Sequence, residues 1–166
     1  MSAGHSAMMF KASVDMCNSI SFCDRAEAGK IEDTTAFAPK FDANGLITAV
    51  AIDHKTNMPL MLAYMNEESL KLTLEKQEAV YYSRSRQEIW HKGATSGHVQ
   101  KIKEIRTDCD QDALVLVVEQ LGAGACHTGR ESCFYRAVTV ENGQAVTKIA
   151  EGVEQTFDPE AVYGKK

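Results

Sequence analysis

Residues 108–118 read Asp108-Cys109-Asp110-Gln111-Asp112-Ala113-Leu114-Val115-Leu116-Val117-Val118, a polar cluster followed directly by an unbroken apolar run. The apolar run predicts a buried strand, which we place from Ala113 to Glu119. If the polar cluster is extended as well, successive side chains point to opposite faces. The three aspartates then face one way and Cys109 faces the other, so one ion cannot easily take both sets of ligands.

A second cluster of metal-ligand side chains follows this strand. It reads Cys126-His127-Thr128-Gly129-Arg130-Glu131-Ser132-Cys133. Cysteine thiolates suit a soft, tetrahedral ion such as zinc, whereas aspartates suit a hard ion such as magnesium. The two clusters together therefore predict two different metals.

Simpler readings compete with metal binding. An acidic triplet is usually a solvated turn, and free cysteines are commonly buried as small apolar residues. A calcium loop of the EF-hand type is also suggested, because Glu119 falls at the twelfth position counted from Asp108. That loop needs glycine at its sixth position, where this chain has Ala113 before a buried strand. Cys126 lies between small residues and polar ones, which favours a ligand in a loop over a packed side chain.

The remaining pattern is dominated by strands. Asn66 predicts the N-cap of one helix that ends near Gln77, with Glu67 and Glu68 in its first turn. The other predicted strands are Leu46 to Ile52, Leu60 to Met65, Ala79 to Ser83, Val99 to Arg106, Cys133 to Val140 and Ala145 to Ala150. These elements predict an α+β fold that is β-dominated, with a small sheet or barrel-like core and one main helix.

Composition limits the function. The 166 residues suffice for one domain, which we place at 37–150, between an arm of unknown role at 1–36 and a tail at 151–166. A short helix around Ala7 to Ile20 is the one element considered for the arm. The absence of a long apolar run argues against membrane insertion, and the formal charge of -5 argues against nucleic acid as a partner. Five cysteines without a secretory signal predict a cytoplasmic setting.

Two further stretches are typical of anion binding. Ser83-Arg84-Ser85-Arg86 ends a predicted strand, and Trp90-His91-Lys92-Gly93-Ala94-Thr95-Ser96-Gly97 follows as a loop. Glycines let backbone N–H groups turn inward, hydroxyls add hydrogen bonds, and arginine offers a planar fork to phosphate oxygens. Alone, such stretches are commonly solvated surface. Beside two metal clusters, they favour a small phosphorylated ligand.

Seven blocks of this sequence, taken in order, resemble the phosphoribosyl-AMP cyclohydrolases of histidine biosynthesis. The resemblance runs from about Phe41 to Arg136. Its blocks are Gly45-Leu46-Ile47, Met61-Leu62-Ala63-Tyr64-Met65-Asn66, Ser83-Arg84-Ser85-Arg86, Trp90-His91-Lys92-Gly93, Thr95-Ser96-Gly97, Asp108-Cys109-Asp110-Gln111-Asp112 and the cluster from Cys126 to Phe134. The resemblance implies that the domain at 37–150 hydrolyses N1-(5-phosphoribosyl)-AMP, a small phosphorylated nucleotide, and opens its adenine ring.

Metals and assembly are also implied by the resemblance. The zinc ligands of the family match Cys109, Cys126 and Cys133, and its magnesium ligands match Asp108, Asp110 and Asp112. In the family the first cysteine serves a zinc site shared with the partner subunit. A homodimer is therefore implied, and it agrees with a Cys109 that faces away from its aspartate neighbours.

The implied chemistry needs a nucleophile and a base. Zinc with three protein ligands keeps a position for water, but three thiolates make the metal less acidic than three imidazoles would. A general base should therefore help, and His127 is the candidate catalytic residue, with orientation or stacking as its alternative role. Magnesium would assist substrate binding. The predicted substrate-binding residues are Arg84, Arg86, Trp90, Lys92, Thr95, Ser96 and Arg130.

Two functions of other classes remain open. A structural zinc knuckle that binds nucleic acid would need four closed ligands and a basic surface, which this chain does not offer. A thiol redox protein would need a reactive cysteine with a close partner, and Cys126 with Cys133 could serve. The zinc content of the purified protein separates the redox reading from the hydrolase.

Overall fold

The computed structural model describes residues 20–164. This part of the chain contains eight strands and two α-helices, joined by turns and loops. The helix considered for Ala7 to Ile20, apart from its last residue, lies outside this part, as does Cys17. The elements are β1 (Ile47–Asp53), β2 (Pro59–Met65), α1 (Glu67–Lys76), β3 (Val80–Ser83), β4 (Glu88–His91), β5 (Gln100–Thr107), β6 (Ala113–Gln120), β7 (Arg136–Glu141), β8 (Gln144–Ile149) and α2 (Pro159–Tyr163). Within residues 20–164, neither helix is long and apolar enough to cross a membrane.

One six-stranded sheet forms the body of the fold, in the order β4-β3-β2-β1-β6-β5. Its neighbours run antiparallel except β1 and β6, which run parallel with Thr48 opposite Ala113. The apolar run predicted as a buried strand is this inner strand β6, where Leu114, Leu116 and Val118 are buried. Because β6 is an inner strand of the sheet, the residues before and after it are held at its two ends.

The sheet curls towards a barrel. Glu78, just before β3, forms an isolated bridge with Lys101 of β5. Beside it, the Ala79 N–H donates to the Gln100 carbonyl at 2.9 Å. This contact joins β5, at one edge of the sheet, to the segment that leads into β3. The barrel-like, β-dominated α+β fold predicted from the sequence is therefore confirmed.

Helix α1 begins at the predicted cap and packs on the sheet. The Asn66 side chain accepts a hydrogen bond from the Ser69 N–H at 2.8 Å, and the Ser69 hydroxyl accepts one from the Asn66 N–H at 2.9 Å. This reciprocal arrangement satisfies N–H groups that a helix start leaves unpaired. Leu70 is fully buried against the core, and the Thr73 hydroxyl accepts the Val80 N–H at 3.0 Å. Sequence and structure agree on this element.

Two predicted boundaries were wrong. Trp90 and His91 were placed in a loop, but they belong to β4, which forms a hairpin with β3 and pairs His91 with Val80. The strand predicted for Cys133 to Val140 corresponds to β7, which begins only at Arg136. The Cys133 N–H donates instead to the Leu60 carbonyl at 2.7 Å, which keeps this residue in a turn beside β2.

The hairpin of β7 and β8 stands apart from the main sheet and pairs only with itself in the described part of the chain. Its apolar side chains are open to solvent: Val138 is 74% exposed, Val140 70% and Ile149 55%. An isolated two-stranded hairpin is marginally stable in water. An apolar hairpin of this kind is typical of a surface that a partner covers.

Candidate active site

A cavity of about 550 Å³ is the centre of the candidate site. Its size falls in the range of small-molecule sites. Strand β4, the turn that follows it, the loop before β7 and the end of α2 all contribute to its walls. Seven of the residues predicted from the sequence line it together: Arg86, Trp90, Lys92, Thr95, Ser96, His127 and Cys133. Residues from separate motifs therefore meet around one nucleotide-sized space.

Cys133 and Lys92 line this cavity, and Cys126 lies close to Cys133. Cys126 is buried, and its sulfur lies 3.0 Å from the Thr128 hydroxyl. Cys133 has solvent access. The pKa of its thiol is nevertheless raised above the usual range, mainly because the surrounding protein desolvates it and also because Cys126 is near. Two neighbouring thiols of this kind are a donor pair that fits a soft cation such as zinc, which favours their deprotonated form.

Lys92 is a cation close to these thiols. The residue is 4% exposed, and its ammonium donates to the Ala125 carbonyl at 3.0 Å. Burial lowers the pKa of Lys92, while Cys133 and Cys126 oppose that shift. A buried positive charge at this point offsets the negative charge that thiolates would bring.

The loop that carries Cys126 and His127 is a tight turn. The Cys126 N–H donates to the Arg130 carbonyl at 3.1 Å, and the Gly129 N–H donates back to the Cys126 carbonyl at 3.2 Å. Gly129 has φ +82, and a Cβ there would lie 2.4 Å from the Phe157 carbonyl oxygen. Only glycine fits this position, which fixes the loop so that His127, itself exposed, borders the cavity.

Cys109 lies far from the other two thiols. It precedes β6, whereas Cys126 follows it, and an eight-residue strand spans roughly 25 Å. Within residues 20–164, the three thiols do not form a common ligand cluster. Cys109 is exposed, so it is free to meet another chain.

The aspartates do gather, but not in the way the alternation argument predicted. Residues 108–112 form a turn rather than an extended run, with Gln111 at φ 60. The Asp108 carboxylate accepts the N–H groups of Asp112 and Ala113 at 3.0 and 3.1 Å. Ligand oxygens of Asp108, Asp110 and Asp112 all lie within 4.8 Å of one another. A cluster of three carboxylates fits a hard cation such as magnesium.

Lys40 already balances part of this acidic cluster. Its ammonium lies 2.9 Å from Asp110 and 3.1 Å from Asp112. The hydrogen bond from Lys40 holds the pKa of Asp110 below its usual range, so this carboxylate stays ionised. The Ala38 N–H donates to the buried Gln111 side chain at 2.7 Å. The segment before β1 therefore helps to fix the turn that carries the aspartates.

Two predicted substrate-binding residues lie outside the cavity lining. Arg84 stacks over the Tyr64 ring with 3.9 Å from its guanidinium carbon to the ring centre. Arg130 stacks over the Tyr135 ring at 4.3 Å, and its Nε is buried without a partner among the described residues. Of the predicted arginines, Arg86 is the one that reaches the cavity.

Sequence reasoning missed the residues that the tail adds to the site. Val162 and Tyr163 of α2 line the cavity, and His98 is buried behind them. The pKa of His98 is lowered, mainly because the ring is buried and also because the positive charge of Lys92 is near. A signal for α2 was present, since Asp158 caps the helix and Pro159 occupies its first turn. Nothing in the local sequence could tell which surface this helix would meet.

Comparison with known proteins gives a consistent result. A family profile described as "Phosphoribosyl-AMP cyclohydrolase" matches residues 61–135. A protein of that name from Rhodopseudomonas palustris (strain TIE-1) is 53% identical over 135 residues, covering 81% of this chain and 89% of that protein. One from Nitrobacter hamburgensis is 55% identical over 141 residues, covering 85% and 95%. Another from Agrobacterium fabrum is 55% identical over 139 residues, covering 83% and 92%.

Proposed function

The chain belongs to the phosphoribosyl-AMP cyclohydrolase family, and on that premise we propose that it opens the adenine ring of N1-(5-phosphoribosyl)-AMP by hydrolysis in histidine biosynthesis. The observation that carries the proposal is the cavity itself. It joins the His127 and Cys133 loop to Arg86, Trp90, Thr95 and Ser96 around a space of about 550 Å³. Groups suited to activating water thus border the same space as groups suited to a phosphorylated nucleotide.

We assign zinc to Cys126 and Cys133 together with Cys109 of the partner subunit. Bound zinc would lower the pKa of a coordinated water and so supply a nucleophile at neutral pH. Thr128 supports this assignment, because its hydroxyl is already within 3.0 Å of the Cys126 sulfur and can orient it. Thiol ligands must stay reduced, which suits a cytoplasmic enzyme.

His127 is our candidate for the general base. It borders the cavity next to a proposed ligand and keeps solvent access. Imidazole is suited to taking a proton from water and passing it to a ring nitrogen of the substrate. The amino-bearing ring carbon would then gain the hydroxyl oxygen, and its bond to the alkylated ring nitrogen would break.

The outer part of the cavity suits the rest of the nucleotide. The Arg86 guanidinium lies 3.0 Å from Glu88 and remains more than half exposed, so it can turn to a phosphate. Thr95 and Ser96 add hydroxyls in the turn after β4, and Trp90 offers a flat ring for stacking. Lys92 is held by the Ala125 carbonyl, so we assign it to the thiol end of the site.

We propose a homodimer, which the separation of the thiols supports. Cys109 and Cys126 lie at opposite ends of the eight-residue strand β6, so the proposed three-thiol zinc site would take its thiols from two chains. A second chain can, because Cys109 is exposed. The apolar hairpin of β7 and β8 directly follows the loop of Cys133 and offers a surface for that second chain. Each active site would then contain residues from both subunits.

Ring opening tests the proposed function directly. Purified protein loaded with zinc and magnesium should change the ultraviolet absorbance of N1-(5-phosphoribosyl)-AMP as the ring opens. Removal of zinc with a chelator should stop the reaction, and added zinc should restore it. No turnover by a zinc-loaded protein would reject the proposal. A metal-free protein with a disulfide between Cys126 and Cys133 would favour the redox reading instead.

Asp110→Asn should separate the two metals. We propose magnesium at Asp108, Asp110 and Asp112, so the variant should keep its zinc but need about tenfold or more magnesium for half-maximal activity, because a charged ligand is lost. Metal analysis and a magnesium titration of activity measure both effects. Asp33→Asn is the matched control, since Asp33 also pairs with a lysine, Lys30, at 2.7 Å. Unchanged magnesium dependence in Asp110→Asn would remove the aspartates from the magnesium site.

A further inference from the structure

The tail after β8 is tied to the loop that carries Cys126 and His127. The Thr156 N–H donates to the Gly129 carbonyl at 2.7 Å, and the Thr156 hydroxyl donates to the Ala123 carbonyl. The Gln155 side chain donates to the Thr128 carbonyl at 3.0 Å. Three hydrogen bonds from two consecutive tail residues thus reach three positions of this loop. These bonds hold the tail in a defined position against the loop.

Beyond Thr156, the tail packs its aromatic rings on His98. The Phe157 ring meets the His98 ring edge to face, with 4.9 Å between centroids. The Tyr163 ring lies 6.3 Å from His98 in the same kind of arrangement, and its hydroxyl is 3.5 Å from Nδ1. On another side, a Cβ at Gly122 would come within 2.3 Å of His98 Cδ2. His98 therefore has little room to move and serves as a fixed support for Tyr163.

The supported ring faces the candidate active site. Tyr163 and its neighbour Val162 line the same cavity as Trp90, His127 and Cys133. Aromatic rings that border a nucleotide site contribute by stacking or edge contacts with the base or sugar. Tyr163 is 36% exposed, so its ring is accessible from the cavity.

We propose that Tyr163 is a substrate-positioning residue, an aromatic wall that the tail delivers to the cavity and that His98 holds in place. The inference rests on the proposed function, because the ligand it would contact is the adenine–ribose part of the nucleotide. Its contribution is to ground-state binding, since the ring is supported before substrate arrives and its hydroxyl already lies 3.5 Å from His98 Nδ1. Loss of the ring therefore weakens binding and leaves the chemical step intact.

Kinetics and AMP binding of three variants test this role. Tyr163→Ala should raise KM for N1-(5-phosphoribosyl)-AMP about tenfold to a hundredfold, with kcat within about threefold of the parent, as expected for one lost aromatic contact to a base. Calorimetry with AMP should show a matching loss of affinity. Tyr163→Phe should retain most of the binding, because the ring remains. Glu160→Ala is the control for α2, since Glu160 is exposed and lies outside the cavity lining.

Each outcome decides the matter. Unchanged KM and AMP affinity in Tyr163→Ala would overturn the proposal, and so would a loss confined to kcat. A fall in melting temperature that Glu160→Ala shares, with no change in AMP affinity, would assign the tail a purely structural role. If the parent protein binds AMP but opens no ring, the proposed function fails while the AMP comparison still tests Tyr163.

Discussion

Cys126→Ser and Cys133→Ser should each abolish zinc binding and ring opening together. A serine hydroxyl stays protonated near neutral pH and is a harder donor than a thiolate, so a site built on sulfur loses its ion. The two thiols are neighbours, because Cys126 lies close enough to Cys133 to raise the pKa of its thiol, and Cys133 lines the cavity. Metal analysis and the absorbance assay on the same samples measure the two losses.

Cys109→Ser should cause the same double loss, although Cys109 lies at the other end of β6. Cys23→Ser is the matched control, because Cys23 is also a free cysteine of the described part and lies outside both metal clusters. It should keep full zinc content and full activity. A zinc-free Cys126→Ser protein that retained full activity would contradict the assignment of the ion to these thiols.

His127→Ala should keep its zinc and lose about a hundredfold to ten-thousandfold in kcat, the usual contribution of general acid–base catalysis. The side chain is exposed at the cavity border, so its removal should leave the Cys126 turn and its main-chain hydrogen bonds in place. Zinc content and the melting temperature serve as controls on the site and the fold.

Added imidazole provides a sharper test of His127. If the residue acts as a base, imidazole in solution should enter the space left by His127→Ala and restore part of kcat. His127→Gln keeps a polar side chain but no comparable base, so it should be slow. Because its side chain still fills the space, added imidazole should not restore its kcat. A small loss in kcat with a large rise in KM would instead assign His127 to substrate stacking.

The body of the fold could be predicted because its signals are local. The apolar run from Leu114 to Val118 forms an inner strand, and Asn66 begins a helix where cap and charge pattern both indicate one. The hairpin turn at 141–143 joins β7 to β8 as predicted. In these places local preference and burial favour the same structure.

In the acidic turn, the extended conformation that the alternation argument assumed was wrong. Strand alternation was applied to residues 108–112, but the side chain and carbonyl of Asp108 bind the following N–H groups and bend the chain into a turn. Asp and Asn are prone to such local hydrogen bonds. The three aspartates still lie together, because the turn gathers them, although the alternation argument for their placement was wrong.

Long-range placement was the part that sequence could not supply. Arg84 and Arg86 are two residues apart, yet one stacks on Tyr64 while the other borders the cavity. Tyr163 reaches the site from the end of the chain, and Lys40 reaches the aspartates from before β1. These contacts depend on how the sheet curls and where the loops return to it. The periodicity of a local stretch of sequence predicts neither.

Subunit mixing tests the central claim, that each active site is built from two chains. Cys109→Ser and Cys126→Ser proteins, each inactive alone, should be mixed under conditions that exchange subunits. A hybrid dimer then has one site with all three thiols, and random exchange should restore about one quarter of the parent activity and zinc content. Recovery near that level is the result the account predicts. No recovery, despite proven exchange of subunits, would place the whole zinc site within one chain and contradict it.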